Sequence, residues 1–111
     1  MSDKLLIIIS SSDVLKARTG IIYATNALKN GWINDIRLIV FGPAETTLLE
    51  EPVLQEALQA FMAQNQQVAA CKAISDMTEA SEGLADLGLD VVYVGKLVSD
   101  LVKEGYTPMV W

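Results

Sequence analysis

The sequence predicts a single α/β domain, residues 1–111, built on a mainly parallel sheet. Two observations carry this. Short runs of Ile, Val and Leu recur along the chain, each bounded by Gly, Pro, Ser or Asp. Between them lie segments whose apolar residues step by three and four, the period of one helical face. Such alternation implies parallel strands, right-handed crossovers and helices on both sheet faces. No linker, internal repeat or low-complexity stretch interrupts it.

Lys4 to Ile9 (KLLIII) is the first strand, an unbroken aliphatic run of the kind covered on both faces. Ser10 to Asp13 is a polar loop whose side-chain oxygens suit a helix N-cap. Val14 to Asn30 is a helix with Val14, Ala17, Ile21, Ala24 and Leu28 on one face, ended by Asn30-Gly31. Ile36 to Phe41 is the second strand, stopped by Gly42-Pro43. Ala44 to Glu51 is a short helix or helical turn. Pro52 opens the next helix, where a missing N–H costs nothing, and Leu54, Ala57, Leu58, Phe61 and Met62 form its stripe. Gln66 to Cys71 is a shorter third strand. Lys72 to Thr78 is a short helix with Ile74 and Met77 facing inward. Asp90 to Val94 is the fourth strand. Gly95 opens a helix carrying Leu97, Val98, Leu101 and Val102, closed by Gly105. Thr107 to Trp111 is the last strand, with Pro108 marking incomplete pairing.

Composition narrows the function. The chain has 111 residues, 8 basic and 14 acidic side chains, and a net charge of −6. The lysines and arginines are scattered, which argues against nucleic acid and against an anionic membrane surface as partners. Met1-Ser2-Asp3-Lys4 and the short apolar run after it do not form a secretory leader, so a cytoplasmic location is expected. Hydrophobic residues make up 51% of the chain. That excess suits a sheet covered on both faces and further burial between subunits, hence a homo-oligomer.

Histidine is absent and there is one cysteine. A Cys-His or Ser-His dyad is therefore excluded. A zinc site built from His and Cys is excluded too, since it needs about four ligands. No metal or cofactor is expected. Phosphate loops and dinucleotide fingerprints are missing after the first strand.

In open α/β sheets, ligands bind beyond the carboxyl ends of the strands. Four loops qualify: Ser10 to Asp13, Gly42 to Thr47, Cys71 to Ser75, and Gly95 with Lys96. Candidate ligand-binding residues are Ser11, Ser12, Gly42, Lys72 and Gly95. Cys71 is the strong nucleophile and the catalytic candidate. At a strand end before a helix, its thiol faces free N–H groups that favour thiolate, and Lys72 adds positive charge. Two readings stand: a reactive thiol, or a small buried hydrophobe. Glu50 and Glu51 read as a solvated pair beside Pro52. Trp32 and Trp111 read as packing residues, with Trp111 also suited to a subunit contact.

Three segments resemble the DsrE/DsrF-like family of sulfur-relay proteins, which includes the TusD-type subunits. These are Val40-Phe41-Gly42-Pro43-Ala44 with Leu48-Leu49, Val68-Ala69-Ala70-Cys71-Lys72-Ala73, and Leu87 to Gly95. The resemblance implies a three-layer α/β/α domain with a five-stranded parallel sheet, assembled as trimers or hexamers. It implies that Cys71 carries sulfur as a persulfide between a donor and an acceptor protein, without a cofactor. The chain departs from the family after the cysteine. Relay members commonly carry a basic turn there; Met77 to Gly83 is acidic. The alternative is a non-catalytic oligomeric module, binding or structural, on the same fold.

Overall fold

The computed structural model describes residues 3–111. Met1 and Ser2, part of the segment read above for a secretory leader, lie outside the described residues. Five strands form one sheet in the order β4-β3-β2-β1-β5, and every pairing is parallel. They are β1 (Lys4–Ile9), β2 (Asp35–Val40), β3 (Val68–Cys71), β4 (Asp90–Val92) and β5 (Thr107–Val110). The helices are α1 (Val14–Lys29), α2 (Ala44–Glu50), α3 (Pro52–Met62), α4 (Lys72–Met77), α5 (Ser81–Asp86) and α6 (Val94–Lys103). The expected three-layer α/β/α arrangement is the one found.

Strand alternation sorts the side chains between the two faces. Leu5, Ile7 and Ile9 of β1, Ile36, Leu38 and Val40 of β2, and Val68 and Ala70 of β3 point to the larger core. There they meet Ala17, Ile21, Ala24 and Ala27 of α1, Leu48 of α2, Leu54, Leu58 and Phe61 of α3, and Leu84 of α5. Leu6, Ile39 and Cys71 point the other way, where α6 covers them with Val94 and Leu101 and Tyr106 closes the end. The predicted stripes on α1 and α3 therefore hold.

Gly20 brings α1 close to the chain end. A Cβ there would stand 2.5 Å from Cγ of Trp111 and 2.8 Å from Cδ1 of Ile9. Only a residue without a side chain admits the Trp111 ring at that depth. Trp111 also stacks at a tilt on Tyr23, with ring centroids 6.3 Å apart. The packing reading of Trp111 therefore holds within the chain.

Five expectations are corrected. Met77 does not face inward: it is 80% exposed, and Ser75 is the fully buried residue of α4. At six residues, α4 is too short to show an inner stripe. The fourth strand stops at Val92, where its pairing with Cys71 ends. Val94 is buried as the first residue of α6, so Gly95 is the second residue of that helix. The third strand starts at Val68, because Asn65 takes a left-handed turn with φ of 61° just before it. Trp32 does not pack: it is 61% exposed.

Candidate functional site

Because every strand is parallel, all their carboxyl ends lie on one edge of the sheet. Ser10, Gly42, Cys71 and Tyr93 follow β1, β2, β3 and β4 there. The candidate residues thus come from loops on a single edge. Ser10 and Gly42 sit together: a Cβ on Gly42 would lie 3.4 Å from Ser10 Oγ. Gly42 adopts φ of +82°, a left-handed conformation that glycine reaches without steric cost. This bend turns the chain from β2 into α2.

Two backbone bonds pin that turn. The Ala44 N–H donates to the Ser10 carbonyl at 3.1 Å, and the Glu45 N–H to the Gly42 carbonyl at 3.0 Å. At the far end of α2, the Gln55 amide donates to the carbonyls of Leu48 and Leu49. The short helix is held at both ends, and its first turn sets Glu45 inward.

Glu45 is the residue that the sequence reading passed over. It is fully buried, and neither carboxylate oxygen has a hydrogen-bond partner. Burial drives its pKa from 4.5 up to about 7, against a weaker opposing pull from the backbone N–H of Cys71. A buried carboxylate without partners is costly, and protonation is the ordinary relief. A glutamate directly after Gly42-Pro43-Ala44 was its only sequence signal, and an acid in a helix's first turn is otherwise an ordinary surface feature.

Cys71 ends β3 and is the cap residue before α4. It is 5% exposed and free of disulfide. Its side chain lies on the α6 face of the sheet, among Ile39, Val94 and Ile74.

Lys72 does not stand free beside the thiol. Its ammonium pairs with Asp76 at 2.9 Å and lies 6.0 Å above the Tyr93 ring. Asp76 also accepts from Ser81 Oγ at 2.5 Å, and Ser81 Oγ lies 2.6 Å from buried Ser75 Oγ. The hydrogen bond from Ser81, then the one from Lys72, holds the Asp76 carboxyl below its usual range. Lys72 is thus neutralised from within its own helix by Asp76, and Ser81 ties α4 to α5.

The Ser10–Asp13 loop closes on the chain end. The N–H groups of Ser10 and Ser11 both donate to the Trp111 carbonyl, at 2.7 and 3.0 Å. Ser11 Oγ accepts from the Asp13 N–H, and Asp13 caps α1 through the Lys16 N–H. Ser12 is exposed beside them. Gly95 is exposed on α6, with no atom near the position of a Cβ.

A cleft of about 190 Å³ opens elsewhere, lined by Arg37, Gln67, Asp90 and Leu97 among others. Gln67 and Asp90 sit at the amino ends of β3 and β4, so this cleft is remote from the carboxyl edge. Among the described residues, no group of three His, Cys, Asp or Glu side chains gathers to hold a metal. No helix among them is long and apolar enough to cross a membrane.

No protein-family model matches the chain, and no curated protein matches it in sequence. Solved structures do. The conserved protein of unknown function BT1422 from Bacteroides thetaiotaomicron aligns with a TM-score of 0.88 and 21% identity, over 98% of this chain and 95% of its own. The ychN protein from E. coli aligns with a TM-score of 0.68 and 18% identity, over 97% of this chain and 99% of its own. These likenesses show the fold: the chain shares its α/β architecture with both proteins over nearly their full lengths.

Proposed function

We propose that this chain is a DsrE-like sulfur carrier that forms a persulfide on Cys71. The observation that carries the reading is the placement of Cys71 at the carboxyl edge of a parallel sheet, as the last residue of β3 and the cap before α4. Ligand chemistry concentrates at that edge. The motif resemblance around Cys71 supplies the kind of chemistry.

The step needs a donor persulfide, R–S–SH. The Cys71 thiolate attacks the outer sulfur of the donor. A new S–S bond forms on Cys71, the donor S–S bond breaks, and its electron pair leaves on R–S⁻, which takes up a proton in water. An acceptor thiolate then attacks the Cys71 persulfide in the same way. No net oxidation occurs, so no redox cofactor is required. The exchange follows ordinary thiol–disulfide rules, in which the attacking group is a thiolate.

Docking of a donor or acceptor protein is assigned to the rim around Cys71. Val92 is 39% exposed, Tyr93 65% and Met77 80%. Each belongs to an element that adjoins Cys71 or follows from it. A homo-oligomer is proposed as well, because all four residues of edge strand β5 are exposed, Met109 and Val110 among them.

A second reading has its own support. Cys71 is only 5% exposed and Lys72 is occupied by Asp76. Both suit a non-catalytic oligomeric module in which Cys71 packs. Incubation with a sulfane-sulfur donor followed by mass spectrometry separates the two. Addition of one sulfur at Cys71 supports the carrier; an unmodified Cys71 supports the module.

A further inference from the structure

The two faces of the sheet are covered unequally. Residues of α1, α2, α3 and α5 close over the larger core, while α6 supplies most of the cover on the other side. Beside α6, over the amino ends of β3 and β4, the sheet stays open and forms the cleft of about 190 Å³. Register explains its shape. Ile39, Ala69 and Asp90 pair across β2, β3 and β4, so their side chains point to one face. Arg37 stands two residues before Ile39 and shares that face. The middle of the row is an alanine, and its small side chain leaves the hollow. Leu97 and Leu101 of α6 form the apolar wall.

The rim carries three polar groups of different kinds: the guanidinium of Arg37, the amide of Gln67 and the carboxylate of Asp90. Strand β3 holds Arg37 and Asp90 two strand spacings apart, roughly 10 Å, and no ion pair joins them. Among the described residues, the side chains of Gln67 and Asp90 have no partner within the chain. Arg37 approaches Asp35 through Nε at 3.6 Å, too long for a good hydrogen bond, and its side chain stays 55% exposed. Its guanidinium lies 5.6 Å from the Tyr106 ring, a cation–π distance that braces it.

A simple anion in this cleft would meet Asp90 as a repelling neighbour, and a simple cation would meet Arg37. A molecule with both charges and an apolar body satisfies all sides. The volume falls below the roughly 300–1,000 Å³ of sites for drug-sized molecules, so the ligand is small. We propose that this cleft binds a free aliphatic α-amino acid, its carboxylate on Arg37, its ammonium on Asp90 and its side chain against Ala69, Leu97 and Leu101. The planar fork of arginine suits a carboxylate, which it can grip with two parallel hydrogen bonds. Gln67 offers a donor and an acceptor and can serve either end. The site is independent of the carrier reading: it lies at the amino ends of the strands, away from Cys71.

NMR titration of the intact protein with L-leucine tests it. Saturable shifts at the amides of Gln67, Ala69, Asp90 and Leu97, with a Kd of about 1 mM or tighter, are expected. Leucinamide lacks the carboxylate and N-acetyl-leucine lacks the ammonium. Each should bind at least about tenfold more weakly, because a charge-assisted hydrogen bond is lost. Two variants assign the ends. Arg37→Gln should abolish the preference for leucine over leucinamide, and Asp90→Asn the preference for leucine over N-acetyl-leucine. Both residues are exposed, so the fold tolerates either change.

Equal binding of the three compounds to the wild-type chain overturns the proposal, as does leucine binding unchanged in both variants. Absence of saturable shifts, or shifts confined to residues outside the cleft, overturns it too. A second copy seated on this face, seen as a dimer by sedimentation with the cleft amides unresponsive to leucine, also overturns it.

Discussion

The carboxyl of Glu45 lies buried against the backbone N–H of Cys71, and neither of its oxygens completes a hydrogen bond. The pairing joins two strand ends, since α2 leaves β2 and Cys71 closes β3. It has a consequence for stability.

The folded-state pKa of Glu45 is raised to about 7 from 4.5. The folded state then binds more protons than the unfolded state between those values, so stability falls as pH rises through that window. Below pH 4.5 the contribution is fully present; above pH 7 it is lost. The span corresponds to on the order of 3 kcal/mol. Glu45→Gln should remove this dependence and be more stable than wild type at pH 8, by up to about that amount. Urea unfolding at pH 5 and pH 8 checks it. Equal pH dependence in both proteins would show that Glu45 is not held neutral by burial.

Gly20 and Trp111 set a packing limit. A methyl group on residue 20 would meet Ile9 of the main core and the Trp111 ring packed against it. Gly20→Ala should destabilise the fold by about 1–3 kcal/mol, the usual cost of overpacking. The indole should also shift outward, giving a red-shifted Trp emission. A thermal melt unchanged from wild type would mean that the ring yields freely.

Lys72 is neutralised locally. With its ammonium on Asp76 at 2.9 Å, it projects little net charge toward Cys71. Lys72→Met should therefore change the alkylation rate of Cys71 at pH 7 by less than about threefold, since screened exposed pairs contribute little. A tenfold loss would assign the thiolate to Lys72.

Tyr106 closes the smaller core and donates its hydroxyl to Asp35 at 2.6 Å. Burial, then this bond, pushes the phenol up from its usual pKa of 10.0. Tyr106→Phe should cost roughly 1 kcal/mol, the net value of one such hydrogen bond. Denaturant titration measures it, and an unchanged midpoint would place the hydroxyl in solvent.

Much of this architecture was legible in the sequence. The Ile-rich run of β1 and the three- and four-residue steps of α1 and α3 each report burial through periodicity, and periodicity survives in a single chain. The short elements were harder. Over the six residues of α4, Met77 and Ser75 exchange roles because a turn and a half of helix has no stable period to read. At the site, Cys71 was legible because its chemistry is rare and its strand-end position is a matter of chain order. Glu45 was not. Its burial depends on the left-handed turn at Gly42 and on the anchors from Ser10 and Gln55, contacts that chain order alone does not display. The pairing of Lys72 with Asp76 is an ordinary helical spacing of four, but what it subtracts from Cys71 emerges only with the fold.

The central claim is that Cys71 carries sulfur. The most direct measurement is intact-protein mass spectrometry after exposure to a protein persulfide, with peptide mapping of the adduct. Addition of a single sulfur to Cys71, released to an acceptor thiol and absent from Cys71→Ser, is the expected result. A wild-type chain that takes up no sulfur, with Cys71 alkylated no faster than a buried thiol, would falsify it.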